Sequence, residues 1–264
     1  MNRRRVIALA AVVAVVAAVG IGFGVFHHGG RSASSEIRSL ISLGYPVYCG
    51  GGKGPYVGLT FDDGPTRWAP QLVKILRANG AHATFFEIGQ KAAARPDLVK
   101  LEASVGEIGN HSWSHPSLPS LSNSGVTGQL EKAQNAFVKA TGSKARLFRP
   151  PFEAHEARID SIASGLGLLD VLWNVDSGDA SGVSTPSSAK IYENLAARVR
   201  PGGIVLLHED ETVPRAIGAV KLFLPALRRL GLHAVSVSDL LRLDPPDRQE
   251  LPNGSGGCNS TWHR

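Results

Sequence analysis

From residue 56 to residue 241, short apolar runs alternate with amphipathic stretches, and this alternation constrains the fold more than any other feature of the chain. Strands read at 56–61, 83–87, 107–109, 146–148, 169–175, 203–208 and 233–237, with helices at 70–78, 97–104, 128–140, 157–164, 189–199 and 214–229. In the first of these helices Leu72, Ile75 and Leu76 share one face, and glycines such as Gly142 and Gly231 stand where helices would stop. Helices that return the chain to the same end of a sheet make the strands parallel. About seven such units in one domain predict a (β/α) barrel rather than an open doubly wound sheet, and a barrel gathers its chemistry at the C-terminal strand ends.

The ionisable residues fall at those ends. The first strand runs into Asp62-Asp63-Gly64-Pro65, where an Asp-Gly turn leaves two like charges at a strand mouth, an arrangement that a bound cation would ease. Ordinary turn chemistry also accounts for this stretch. His111 and His115 follow the third strand, Arg149 the fourth, Asp176 and Asp179 the fifth, and His208 closes the sixth. Histidines four apart on a helical turn share one side, and two of them with an aspartate make a three-ligand set with positions left for water and substrate. Zinc fits such nitrogen and oxygen donors, and other divalent first-row metals fit as well. Each residue also has a plainer reading: Arg149 as a surface ion pair, His208 as a core histidine, Asp176 and Asp179 as turn formers. Trp113 and Trp173 offer faces to a sugar ring or simply pack in the core.

Residues 6–26 are an uninterrupted apolar run behind Arg3, Arg4 and Arg5, long enough to cross a bilayer. The arginines would hold the N-terminus in the cytoplasm and send the rest outside. No convincing small-x-small site follows, which favours a retained single-pass anchor over a cleaved signal peptide; either one exports the domain. Cys49 and Cys258 are the two cysteines, and in an oxidising compartment they are expected to pair. The expected organisation is a signal anchor or signal peptide at 1–27, a linker with a short helix at 28–48, a catalytic domain at 49–243 and an irregular tail at 244–264. The net charge of +6 includes that N-terminal arginine triplet, and no basic stripe with interleaved aromatics occurs, so nucleic acid is excluded as a partner. No protein partner is implied. The glycines at 50–54 lack the spacing and the Lys-Ser/Thr ending of a phosphate-binding loop.

Taken in order, Thr60-Phe61-Asp62-Asp63-Gly64-Pro65, His111-Ser112-x-x-His115, Arg149-Pro150-Pro151-Phe152, Asp176-x-x-Asp179 and Leu206-Leu207-His208 resemble the motifs of the NodB-type polysaccharide deacetylases, carbohydrate esterase family 4. The resemblance spans about residues 56–241. It implies a distorted (β/α) barrel and metal-dependent removal of acetyl groups from an acetylated glycan. It further implies that Asp63, His111 and His115 hold a divalent metal, zinc first, with cobalt, nickel and manganese as others. Asp62 would be the general base, Arg149 its orienting partner, His208 the general acid tuned by Asp179, and Leu207 a wall of the acetyl pocket. Two positions depart from the pattern: Glu153 stands where a glycine is usual, and Ala180 where a tryptophan is usual. They motivate an alternative, a cell-wall carbohydrate-binding protein with a weakened catalytic pocket; an O-acetyl xylan esterase and a metal-dependent peptidase are others.

Overall fold

The computed structural model describes residues 32–180, 186–209, 214–249 and 251. The apolar run at 6–26, the residues of the tail from 252 on and Cys258 lie outside the described residues. Among those described, no helix is long and apolar enough to cross a membrane.

Among the described residues eight strands form one sheet: β1 (Tyr56–Gly64), β2 (Ala83–Glu87), β3 (Gly106–Asn110), β4 (Leu147–Phe148), β5 (Leu169–Asp170), β6 (Val175–Asp176), β7 (Ile204–His208) and β8 (His233–Val235). All pairings between them are parallel, in the order β5-β4-β3-β2-β1-β7-β6, with β8 beside the start of β1. The helices are α1 (Ala33–Ile41), α2 (Ala69–Ala78), α3 (Gly89–Ala94), α4 (Pro96–Glu102), α5 (Asn123–Thr141), α6 (Ala157–Gly165), α7 (Ser188–Arg198), α8 (Arg215–Arg229) and α9 (Val237–Leu243). Ser122 caps α5 by accepting from the Gly125 amide, and Gly142 ends it at φ 79°, a left-handed position that glycine takes without penalty. Gly106 is required for a different reason: a Cβ there would lie 2.0 Å from the Ala83 carbonyl across the β2–β3 ladder.

Side chains alternate along β1. Val57, Leu59 and Phe61 point outward into a core shared with Leu72 and Leu76 of α2, Leu195 of α7 and Phe223 of α8. Burying each of Leu59, Phe61 and Phe223 contributes about 1.5–3 kcal/mol. Thr60 and Asp62 point the other way, into the hollow of the sheet, and both meet Arg149. Three strand steps separate β1 from the strand that precedes Arg149, about 14 Å in a flat sheet. A single guanidinium reaching across that interval shows that the sheet curls strongly.

The expected barrel is corrected in one respect. The run at 169–175, expected as one strand, is two, and they lie on opposite edges: β5 pairs with β4, whereas β6 pairs with β7. The path between the edges is bridged by covalent chain at 171–174, and no ladder joins β5 to β6 among the described residues. The physical cause is Arg149. Its Nε donates to the Val171 carbonyl (2.9 Å) and its Nη2 to the Leu172 carbonyl (3.1 Å), occupying acceptors that a neighbouring strand would use. Val47 meets the same stretch from outside, accepting from the Leu172 amide (2.8 Å).

Candidate active site

β1 delivers two adjacent aspartates to one mouth although side chains on a strand alternate. The register against β2 slips between Asp62 and Gly64, and Asp63 has φ 71°. That kink swings Asp63 back toward the side that Asp62 already faces. Asp62 is 3% exposed, and its Oδ1 accepts from Arg149 Nη1 at 2.7 Å. Arg149 is fully buried, with its Cζ 4.1 Å from the Phe86 ring centre and 5.4 Å from that of Trp173. Burial lowers its pKa, and the Asp62 charge and hydrogen bond oppose that shift.

His111 follows β3 directly. Its Nδ1 lies 2.7 Å from the Arg149 carbonyl, so it carries the proton and donates it, leaving Nε2 to face Asp63 Oδ1 at 3.5 Å and Asp62 Oδ2 at 3.9 Å. His115 Nε2 lies 3.2 Å from the same Asp63 oxygen. The two histidines do not sit on a helix, as their spacing suggested. Ser112 and His115 have φ 66° and 57°, and the turn is locked by Asn110 Oδ1 accepting from the Ser112 amide and Ser112 Oγ from the His115 amide. A left-handed turn brings the rings together, with centres 4.9 Å apart, and Phe152 covers His115 edge-on at 4.5 Å.

Asp63 Oδ1 is buried and accepts no well-formed hydrogen bond, while two imidazole nitrogens converge on it. One carboxylate oxygen and two neutral ring nitrogens are a donor set that fits a divalent metal. Burial pushes the Asp63 pKa up, but contact with His111 and the charges of His111, His208 and His115 outweigh it and hold the group well below the usual carboxylate range. Burial and the His111 charge lower the pKa of His115, favouring its neutral form.

Across the mouth, Asp179 holds His208 twice: Oδ1 is 2.8 Å from Nδ1, and Oδ2 accepts from the His208 amide at 2.7 Å. Burial alone would depress the imidazole, yet the Asp179 hydrogen bond and the charges of Asp179, Asp62 and Asp63 push it up to about 9. Asp176 is exposed and caps the Gly178 amide. Two adjoining hollows of about 380 and 360 Å³ open on this group. Phe152, Glu153, Trp173 and Leu206 line the first, Lys91 and Arg215 the second, and Asp63, His115, Ala180 and His208 border both.

Two expected substrate contacts are relocated. His208 faces the mouth, so by the two-residue period of a strand Leu206 faces it too, while Leu207 points into the outer core with Val205. Trp113 lines neither hollow. It packs against the cluster holding Ala133 and Phe137 and borders a separate groove beside α3 and α5. Trp173 does line the first hollow. Glu153 has φ 55° and Phe152 φ 63°, so the position where the motif usually carries glycine is left-handed here as well. Lys91, whose Nζ donates to the Asp63 carbonyl at 2.7 Å, carried no signal in the sequence because it stands alone in a short helix.

Fold and mouth together define the class: an α/β protein whose ionisable residues converge at one end of a curled parallel sheet. Residues 50–171 match the family model described as polysaccharide deacetylase. The chain is 36% identical over 178 residues to a bifunctional xylanase/xylan deacetylase from Cellvibrio japonicus, covering 67% of this chain and 26% of that protein. It is 30% identical over 199 residues to a peptidoglycan-N-acetylglucosamine deacetylase from Bacillus cereus, covering 72% of this chain and 71% of that one. Among solved structures, a carbohydrate esterase family 4 pseudoenzyme from Bacillus anthracis superposes with a TM-score of 0.70 at 26% identity, over 76% of this chain and 70% of that one. The chain belongs to the polysaccharide deacetylase family.

Proposed function

We propose that the protein is a metal-dependent deacetylase of an N-acetylated polysaccharide of the cell envelope, peptidoglycan or a chitin-like glycan. One observation carries the reading: an Asp63 oxygen faced by two histidines lies between an arginine-held Asp62 and an aspartate-held His208. Asp63, His111 and His115 would hold the ion. A divalent metal bound there supplies a polarised acetyl carbonyl and an acidified water.

The rest belongs to side chains. Asp62, held by Arg149, takes a proton from the attacking water. Arg149 is itself fixed by the Thr60 hydroxyl and two carbonyls, so the carboxylate it orients has little freedom. His208 with Nδ1 on Asp179 presents Nε2 to the departing amine, and its raised pKa keeps it protonated at neutral pH to act as the acid. Leu206 and Trp173 give the acetyl methyl an apolar wall. The similarity to a peptidoglycan deacetylase supports an envelope substrate, as does the apolar run at 6–26, which would anchor or export the domain. A Cys49–Cys258 disulfide would then tie the tail to the domain; Cys49 is fully buried beside Gly203. Non-reduced peptide mapping that finds Cys49 and Cys258 unlinked removes it.

A second reading, a glycan-binding protein without turnover, is motivated by Ala180 and Glu153 and by the likeness to a pseudoenzyme. Asp62, Arg149, Asp179 and His208 weigh against it, since binding has no need of an oriented base and acid. Acetate release from N-acetylglucosamine oligomers and from peptidoglycan, with metal stripped and returned, decides. Release restored by metal supports the deacetylase; no release from either, with metal bound, supports the binding protein.

A further inference from the structure

A second group of ligating side chains lies on the far side of Arg149, at the foot of the 150–156 loop. His155, Asp160 and Asp170 each bring a ligand atom within 4.8 Å of the others. Asp170 is 4% exposed, and neither of its oxygens has a hydrogen-bond partner; Asp160 Oδ1 and His155 Nδ1 are also buried without one. Three residues that each carry an orphaned polar atom thus converge where an unpaired buried polar group costs about 1–3 kcal/mol.

The imidazole is already oriented. Tyr48 Oη lies 3.2 Å from His155 Nε2, and the Nδ1 edge faces Asp160 Oδ2 at 3.5 Å. With the proton on Nε2 and donated to the tyrosine oxygen, the Nδ1 lone pair points at the carboxylates. This repeats the device at His111, where one ring nitrogen is fixed by a carbonyl and the other is left for a ligand.

We propose that His155, Asp160 and Asp170 form a second divalent-cation site, separate from the Asp63 group. One imidazole nitrogen with carboxylate oxygens and no thiolate suits a first-row ion such as Zn²⁺ or Mn²⁺. The site is accessible: the side chains of His155 and Asp160 are 28% and 11% exposed. The buried trio Glu87, Glu102 and Glu209 differs on both counts, offering no nitrogen and no more than 7% exposure. An ion here ties the end of β5 and the start of α6 to the loop that carries Phe152 and Glu153 in left-handed conformations. It therefore steadies the ring that covers His115 without touching the mouth.

The test counts ions on the full-length chain after chelator stripping and dialysis against Zn²⁺, with Mn²⁺ in parallel. Wild type is expected to hold about two equivalents, and the Asp170→Asn, His155→Gln and His115→Ala variants about one each. His115→Ala should still gain thermal stability on Zn²⁺ addition, a gain lost in the His115→Ala/Asp170→Asn double variant. One equivalent in wild type that Asp170→Asn and His155→Gln leave unchanged overturns the proposal, as does a His115→Ala chain that neither holds nor responds to Zn²⁺.

Discussion

Two groups of three ionisable side chains flank Gly64 and behave in opposite ways. On one side Asp63 faces His111 and His115. On the other, Glu87 and Glu209 pack so closely that a Cβ on Gly64 would meet their atoms at 2.7 and 3.0 Å, and Glu102 completes a trio. Both groups are largely buried, which by itself raises every carboxyl pKa. Asp63 has imidazole partners, His111 first, whose interactions outweigh burial and hold its pKa down. Burial raises all three glutamates; the Glu209 charge pushes Glu87 further up, and the charges of Glu87 and Glu209 do the same to Glu102. Proximity of ligating residues is therefore not enough to mark a metal site; the glutamate trio offers no nitrogen donor.

The contrast can be broken at its strongest point first. His115→Ala should reduce acetate release by more than about 10²-fold, beyond the effect of removing an outer-shell partner, while urea unfolding of the metal-free protein changes little. Within the trio, Glu102→Ala should cost about 2–5 kcal/mol in urea unfolding through the cavity it leaves. Glu102→Gln should cost under about 1 kcal/mol, because the amide keeps the shape and carries no charge to bury.

Acidity sharpens the comparison. Asp63, depressed when folded, contributes stability above its unfolded value near 3.8 that is lost as pH falls. The glutamates, raised when folded, contribute stability below about 4.5 that is lost as pH rises through their folded values. His208 likewise contributes fully below 6.5 and loses its contribution as pH rises through about 9. Unfolding curves measured from pH 3 to 10 should show opposite slopes, and Glu102→Gln should flatten the glutamate part alone. The smallest effect is local: Glu153→Gly should add about 1 kcal/mol by relieving a left-handed backbone, read as a shift in the urea midpoint.

How much of this was legible depended on what local patterning can report. Parallel alternation, Asp62 and Asp63 at a strand end and His208 closing another were readable because each depends on its own strand. The split at 169–175 was not, since the stretch from Leu168 to Leu172, apolar except for Asp170, gives no hint that Arg149 will claim its carbonyls. Strand periodicity, applied backward from His208, would have chosen Leu206 over Leu207. The left-handed turn at Ser112 and His115 produces the same convergence as a helix, so the right pairing followed from the wrong geometry. Glu87, Glu102 and Glu209 are separated along the chain; the β1, β2 and β7 register sets Glu87 near Glu209, and Glu102 at the end of α4 joins them.

The central claim is that two adjacent aspartates have different work. The direct test loads Asp62→Asn and Asp63→Asn with Zn²⁺ and measures bound metal and acetate release from peptidoglycan on the same samples. Asp62→Asn should keep the ion at the Asp63 group and lose about 10²–10⁴-fold in rate, whereas Asp63→Asn should lose that ion and the rate together. Full turnover by Asp62→Asn, or an unchanged ion count in Asp63→Asn, would contradict the account.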